Sequence, residues 1–131
     1  MRKKITVFLS ALALSIGAFV GLGASPALAA YSNCPTEHVC FWTGNDGTGS
    51  MCSWSAADPD WTGGSITCSW AATNNVKSVY NRGTASDLEG VVYYSGADYN
   101  TRKGCTRQGQ RGNLAGTYKV RSHKWTDGNC G

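Results

Sequence analysis

The chain has 131 residues, with twelve Lys and Arg against eight Asp and Glu, a formal net charge of +4. Three of those basic residues, Arg2, Lys3 and Lys4, precede an apolar run and then Ala27, Leu28 and Ala29, the pattern of an export signal over residues 1–29, cut after Ala29. The remaining 102 residues carry nine basic against eight acidic side chains, a net of +1, too little positive charge to release counterions from a phosphate backbone; this argues against nucleic acid and, once the signal is removed, against membrane as partners.

Residues 30–131 make one domain of ordinary size, with six Val, two Leu and one Ile as its aliphatic content. Five Trp and six Tyr must therefore supply the core, since each ring buries a large area. Cys34, Cys40, Cys52, Cys68, Cys105 and Cys130 are even in number, so an exported chain is expected to form three disulfides. Fifteen pairings are open. The sequential one (34 to 40, 52 to 68, 105 to 130) is the working expectation, each bond stabilising by roughly 2–3.5 kcal/mol. Zinc is the rival use of cysteine, and the absence of a close Cys-x-x-Cys pair counts against it.

In chain order, residues 34–40 form a short closed loop stiffened by Pro35, and 39–42 the first strand. Residues 43–49 are rich in turn formers. Residues 50–54 return as a strand. Residues 55–64, with Asp58-Pro59 and Gly63-Gly64, read as a surface excursion with one helical turn, on which Trp61 is expected to be a buried lid. Residues 66–70 and 76–81 read as strands. Residues 91–94 are a further strand running into the turn formers Ser95, Gly96 and Asp98, and the Tyr99 ring is expected to fold back over that turn toward Tyr94. No window of a dozen residues shows helical periodicity, so the class is all-β.

The second half repeats the first. An aromatic strand meets a Gly-rich turn and then a cysteine in each, and Val76-Lys77-Ser78-Val79 is echoed by Val120-Arg121-Ser122-His123 in a terminal strand. This predicts two four-stranded Greek keys, over about residues 34–82 and 91–130, packed as a disulfide-stabilised sandwich because neither buries its aromatic face alone. Ser78 and Ser122 are expected to bridge backbone at the hairpins, and His38 and His123 to be solvated surface residues. No spacing assembles a nucleophile, base and acid, so an enzyme is not expected.

Cys34-Pro with Cys40-Phe-Trp, the Asn74-Asn75-x-x-Ser78 run, and Tyr94 with Tyr99 resemble the secreted bacterial peptidase inhibitors of βγ-crystallin fold, the Streptomyces metalloproteinase inhibitor family. The resemblance implies an extracellular protease as partner, a metalloprotease first. It also implies an inhibitory loop formed by Arg102, Lys103, Gly104, Cys105, Thr106 and Arg107, with the bond between Cys105 and Thr106 offered to the enzyme. Such a loop is already ordered and loses little entropy on docking. Arg102, Lys103 and Arg107 make a basic-specific serine protease a second target. The fold also implies calcium, for which Asn74, Asn75 and Ser78 are weak candidates because they carry no charge; no cofactor is expected. The chain is expected to be a monomer. The alternative is a binding module without inhibitory activity, directed at glycans or cell surfaces or acting as an antimicrobial toxin, with Trp54, Trp61 or Trp125 exposed for stacking.

Overall fold

The computed structural model describes residues 30–128 and Cys130, so the leader expected over residues 1–29 lies outside the described residues. Seven strands follow in order: β1 Val39–Trp42, β2 Met51–Trp54, β3 Val76–Asn81, β4 Gly90–Tyr94, β5 Arg102–Arg107, β6 Arg111–Tyr118 and β7 Ser122–Thr126. They form two antiparallel sheets, ordered β2-β1-β3-β6 and β5-β4-β7. The fold is an all-β sandwich.

The two halves exchange strands. β6 belongs to the second half yet pairs with β3 of the first, through an irregular register from Val76↔Tyr118 to Ser78↔Asn113. In return Asp58, on the first-half excursion, forms an isolated bridge with His123 of β7, with N–H to O distances of 3.0 and 3.1 Å. Each half thus closes on the other, and the two halves cannot separate without breaking both exchanges.

Strand β1 is buried on both faces. Alternation turns Val39 and Phe41 toward the inter-sheet core and Cys40 and Trp42 the other way, where Tyr31 and Cys34 cover them. The main core joins Phe41, Trp54, Trp61, Trp70 and Tyr93 to Val76, Val79, Val91 and Val120. Trp54 and Trp61 stack with centroids 4.3 Å apart. Each fully buried ring contributes on the order of 2–3 kcal/mol, which makes up for the scarcity of aliphatic residues. Trp61 is the buried lid expected.

The repeated serines play one role twice. Ser78 Oγ donates to Gly44 O (2.7 Å) and accepts from Gly47 N–H (2.9 Å). Ser122 Oγ donates to Gly96 O (2.6 Å) and accepts from Tyr99 N–H (3.1 Å). Each hydroxyl folds its half's hairpin over the sheet, and the Tyr99 ring meets Tyr94 at 5.7 Å as expected.

Four expectations are corrected. Residues 66–70 are turn and irregular backbone, because Cys68 is drawn back by a bond from its N–H to Trp61 O and by its disulfide to Cys52. The short helical turn lies at Asn45–Gly47 in the first hairpin, not in the excursion. The second sheet has three strands and one bridge rather than four strands. His123 is fully buried: Trp61 Nε1–H donates to its Nδ1 (2.8 Å) and its Nε2 lies 2.9 Å from Ala56 O. His38 is half-buried.

Those two contacts are both satisfied only by the neutral Nε2–H tautomer. Burial pushes the imidazole down to about 4 from its ordinary 6.5, against the opposing effect of the Ala56 carbonyl. Between those values the unfolded chain binds the extra proton and the folded one does not, so stability rises with pH across that window. The melting temperature is expected to fall as the pH is lowered from 6.5 to about 4, and a scanning-calorimetry series on wild type and His123→Gln should show a flatter dependence in the variant. Below that window Asp60, whose carboxyl the Arg121 hydrogen bond holds well under the usual range, loses its own contribution as it protonates. For the hairpin serines, Ser78→Ala and Ser122→Ala are each expected to cost about 1–3 kcal/mol in urea unfolding, since each removes two hydrogen bonds to buried or half-buried backbone groups.

Candidate functional site

The segment singled out by the sequence, Arg102–Arg107, is strand β5 at one edge of the three-stranded sheet, not a protruding loop. Its register on β4 sets Thr106 opposite Val91, Cys105 opposite Val92 and Gly104 opposite Tyr93. Alternate side chains face opposite ways, and Val91 and Tyr93 belong to the core, so Thr106 and Gly104 face inward while Cys105 and Arg107 face outward. Arg102 aligns with Tyr94, which leaves Lys103 as an extra residue in the ladder.

Thr106 is accordingly only 8% exposed. Its Oγ1 lies 3.1 Å from the Tyr93 hydroxyl, and its carbonyl accepts from Asn81 Nδ2 at 2.9 Å. Burial pushes the Tyr93 phenol up, so the hydroxyl stays protonated. Gly104 is required because the Tyr93 ring crosses the strand there; a Cβ would stand 2.8 Å from it.

On the outer face Cys105 is bonded to Cys130, with Cα atoms 5.6 Å apart. The bridge lies over Gly90, where a Cβ would meet Cys130 Sγ at 2.8 Å and Cys105 Sγ at 3.1 Å. Arg102 Nη2 donates to Cys130 O at 2.6 Å, which holds the chain end along the strand. Lys103 Nζ sits 5.5 Å from the centroid of the Tyr118 ring. Arg102, Lys103 and Arg107 are exposed. The remaining cysteines pair as Cys34–Cys40 and Cys52–Cys68, the sequential order, and none of the described cysteines is free.

Other sequence candidates are placed elsewhere. Trp54 and Trp61 are buried, and Trp125 is half-buried with its ring against Gly83, so the first two offer no face for stacking on a sugar. Of the weak calcium candidates, Ser78 is fully buried with its hydroxyl committed to Gly44 and Gly47, and Asn74 Oδ1 accepts from Thr73 Oγ1 at 2.8 Å. A hard divalent ion wants several oxygens, usually with carboxylates; Asn74, Asn75 and Ser78 do not fit one. Among the described residues no group of three His, Cys, Asp or Glu is arranged to hold a metal, and no helix is long and apolar enough to cross a membrane.

A sequence profile of peptidase inhibitor family I36 matches residues 27–106. The match takes in β1 to β4 and β5 as far as Thr106, and leaves β6 and β7 beyond it. A search of curated proteins finds no match. Covering well over half of the chain, the profile agrees with the resemblance carried by the cysteine loop and the paired Greek keys: the chain belongs to peptidase inhibitor family I36, a family of inhibitors and not of enzymes.

Proposed function

We propose that this inhibitor is secreted, monomeric and directed at an extracellular protease, with Arg102, Lys103, Gly104, Cys105, Thr106 and Arg107 as the contact segment and a metalloprotease as the first target. The observation that carries this is the double anchoring of the bond between Cys105 and Thr106. One side is bridged to Cys130; the other is held by Tyr93 and Asn81 from two different strands. Hydrolysis there would leave both new ends in place, so resealing competes with release. Proteases bind substrates as extended backbone, and an edge strand already has that shape. Because Thr106 points into the core, engagement at this bond runs through the strand's backbone edge rather than through the Thr106 side chain.

A second reading is favoured by the exposed Arg102, Lys103 and Arg107. A serine protease with an acidic primary pocket would take one of these side chains without disturbing the core.

Titration of mature protein against thermolysin-like, subtilisin-like and trypsin-like enzymes checks both readings. The expected outcome is stoichiometric loss of metalloprotease activity, with the cut at Cys105–Thr106 and the two pieces joined until reduction. A cut after Arg102, Lys103 or Arg107 would establish the second reading, and no slowing of any enzyme would remove the proposal. The double variant Cys105→Ser, Cys130→Ser is expected to lose about 2–5 kcal/mol of stability and to be consumed as a substrate, which gel analysis over time would show.

A further inference from the structure

At the opposite edge of the three-stranded sheet from β5, the first-half excursion runs along β7 through the Asp58–His123 bridge. It carries the most exposed large apolar side chain in the described structure, Ile66, at 50%. Residues 64–67 are all exposed. Among the described residues, their backbone takes part in no hydrogen bond within the chain.

Both ends of this stretch are locked. On the entering side Asp60 Oδ1 accepts from Arg121 Nε (2.7 Å), Thr62 N–H (3.0 Å) and Thr62 Oγ1 (2.8 Å). Trp61, which follows Asp60, is fully buried, stacked on Trp54, and donates its N–H to Arg121 O at 2.8 Å. On the leaving side Cys68 is buried and bonded to Cys52, and its N–H closes the stem by donating to Trp61 O at 2.8 Å. Two glycines, Gly63 and Gly64, let the chain turn between the locked ends, Gly64 with φ +80° and nothing within 4 Å of a Cβ there. A groove of about 390 Å³ runs beside it, lined by Trp54, Pro59, Asp60 and Ile66 among others.

We infer that residues 62–67 are a second protease-docking loop, which offers the bond between Ser65 and Ile66 to an endopeptidase whose pocket for the residue after the cut is apolar. This rests on the reading of the chain as an active inhibitor, but not on β5. Unpaired backbone is free to pair with the enzyme's own edge strand. Ile66 supplies the bulky apolar side chain that metalloendopeptidases of the thermolysin type favour and that the buried Thr106 does not present. Hydrolysis adds one water across the Ser65–Ile66 bond, leaving a carboxylate on Ser65 and an ammonium on Ile66; resealing expels it. The Cys52–Cys68 bond spans the cut, and the Trp61 stack holds the other side.

The test is inhibition of a thermolysin-like enzyme by mature wild type, Ile66→Asp and Ile66→Leu, with melting curves and non-reducing peptide mapping of the recovered protein. Because β5 is untouched, Ile66→Asp is expected to halve the enzyme inactivated per mole of inhibitor while melting like wild type, and Ile66→Leu to inhibit like wild type. Mapping should show Ser65 and Ile66 as new termini on pieces that separate only on reduction. Equal inhibition by Ile66→Asp, a cut confined to residues 102–107, or loss of the fold in Ile66→Asp would overturn this loop and leave the inhibitor reading standing. No inhibition by wild type would overturn both.

Discussion

One buried hydrogen bond links most of what has been described: Trp61 Nε1–H to His123 Nδ1, at 2.8 Å. It joins the first-half excursion to the last strand and so secures one of the two strand exchanges. It fixes the histidine tautomer, because an acceptor at Nδ1 leaves the proton on Nε2 to meet Ala56 O. It also holds Trp61 flat against Trp54, at an interplanar angle of 25°, where the ring anchors the stem of the 62–67 loop. Away from water such a bond gains strength from the low dielectric, and losing either partner leaves the other unsatisfied. A small core with few aliphatic side chains gets rigidity here from one polar contact inside an aromatic cluster.

The disulfides extend this rigidity outward rather than creating it. Cys52–Cys68 ties β2 to the end of the excursion, and Cys105–Cys130 ties β5 to the chain end. Each thereby fastens an exposed edge to the sandwich. The two segments proposed for protease contact are each held on one side by a covalent bridge and on the other by buried side chains. That combination separates an inhibitor from a substrate, since release of a cut product requires both new ends to leave.

Much of the fold was legible because valine and aromatic runs bounded by turn formers are strong strand signals: β1, β3 and β4 lie where Val39, Val76 and Val91 predict them. β6 was not anticipated, since Gly112, Ala115 and Gly116 dilute any strand signal and its pairing with β3 is tertiary. Residues 66–70 misled for the opposite reason. Ile66, Thr67 and Trp70 favour strands locally, but Cys68 is committed to Trp61 and Cys52.

Burial at the candidate sites was less legible, and one overlooked signal could have found part of it. In the repeat, His123 takes the place of Val79, a core residue; the echo already put the histidine inside, although Ser122 and Lys124 beside it suggested a polar surface. Thr106 shows the same limit. Its inward direction follows from the β4–β5 register, which no spacing in the chain reveals.

Nitrogen-15 NMR of the His123 ring in the mature protein, recorded as pH is varied, reads the Trp61–His123 hydrogen bond directly. A single Nε2–H tautomer is expected at neutral pH, titrating near 4, with the Trp61 indole N–H protected from exchange. A ring that averages between tautomers and titrates near 6.5, beside a rapidly exchanging indole proton, would contradict that bond.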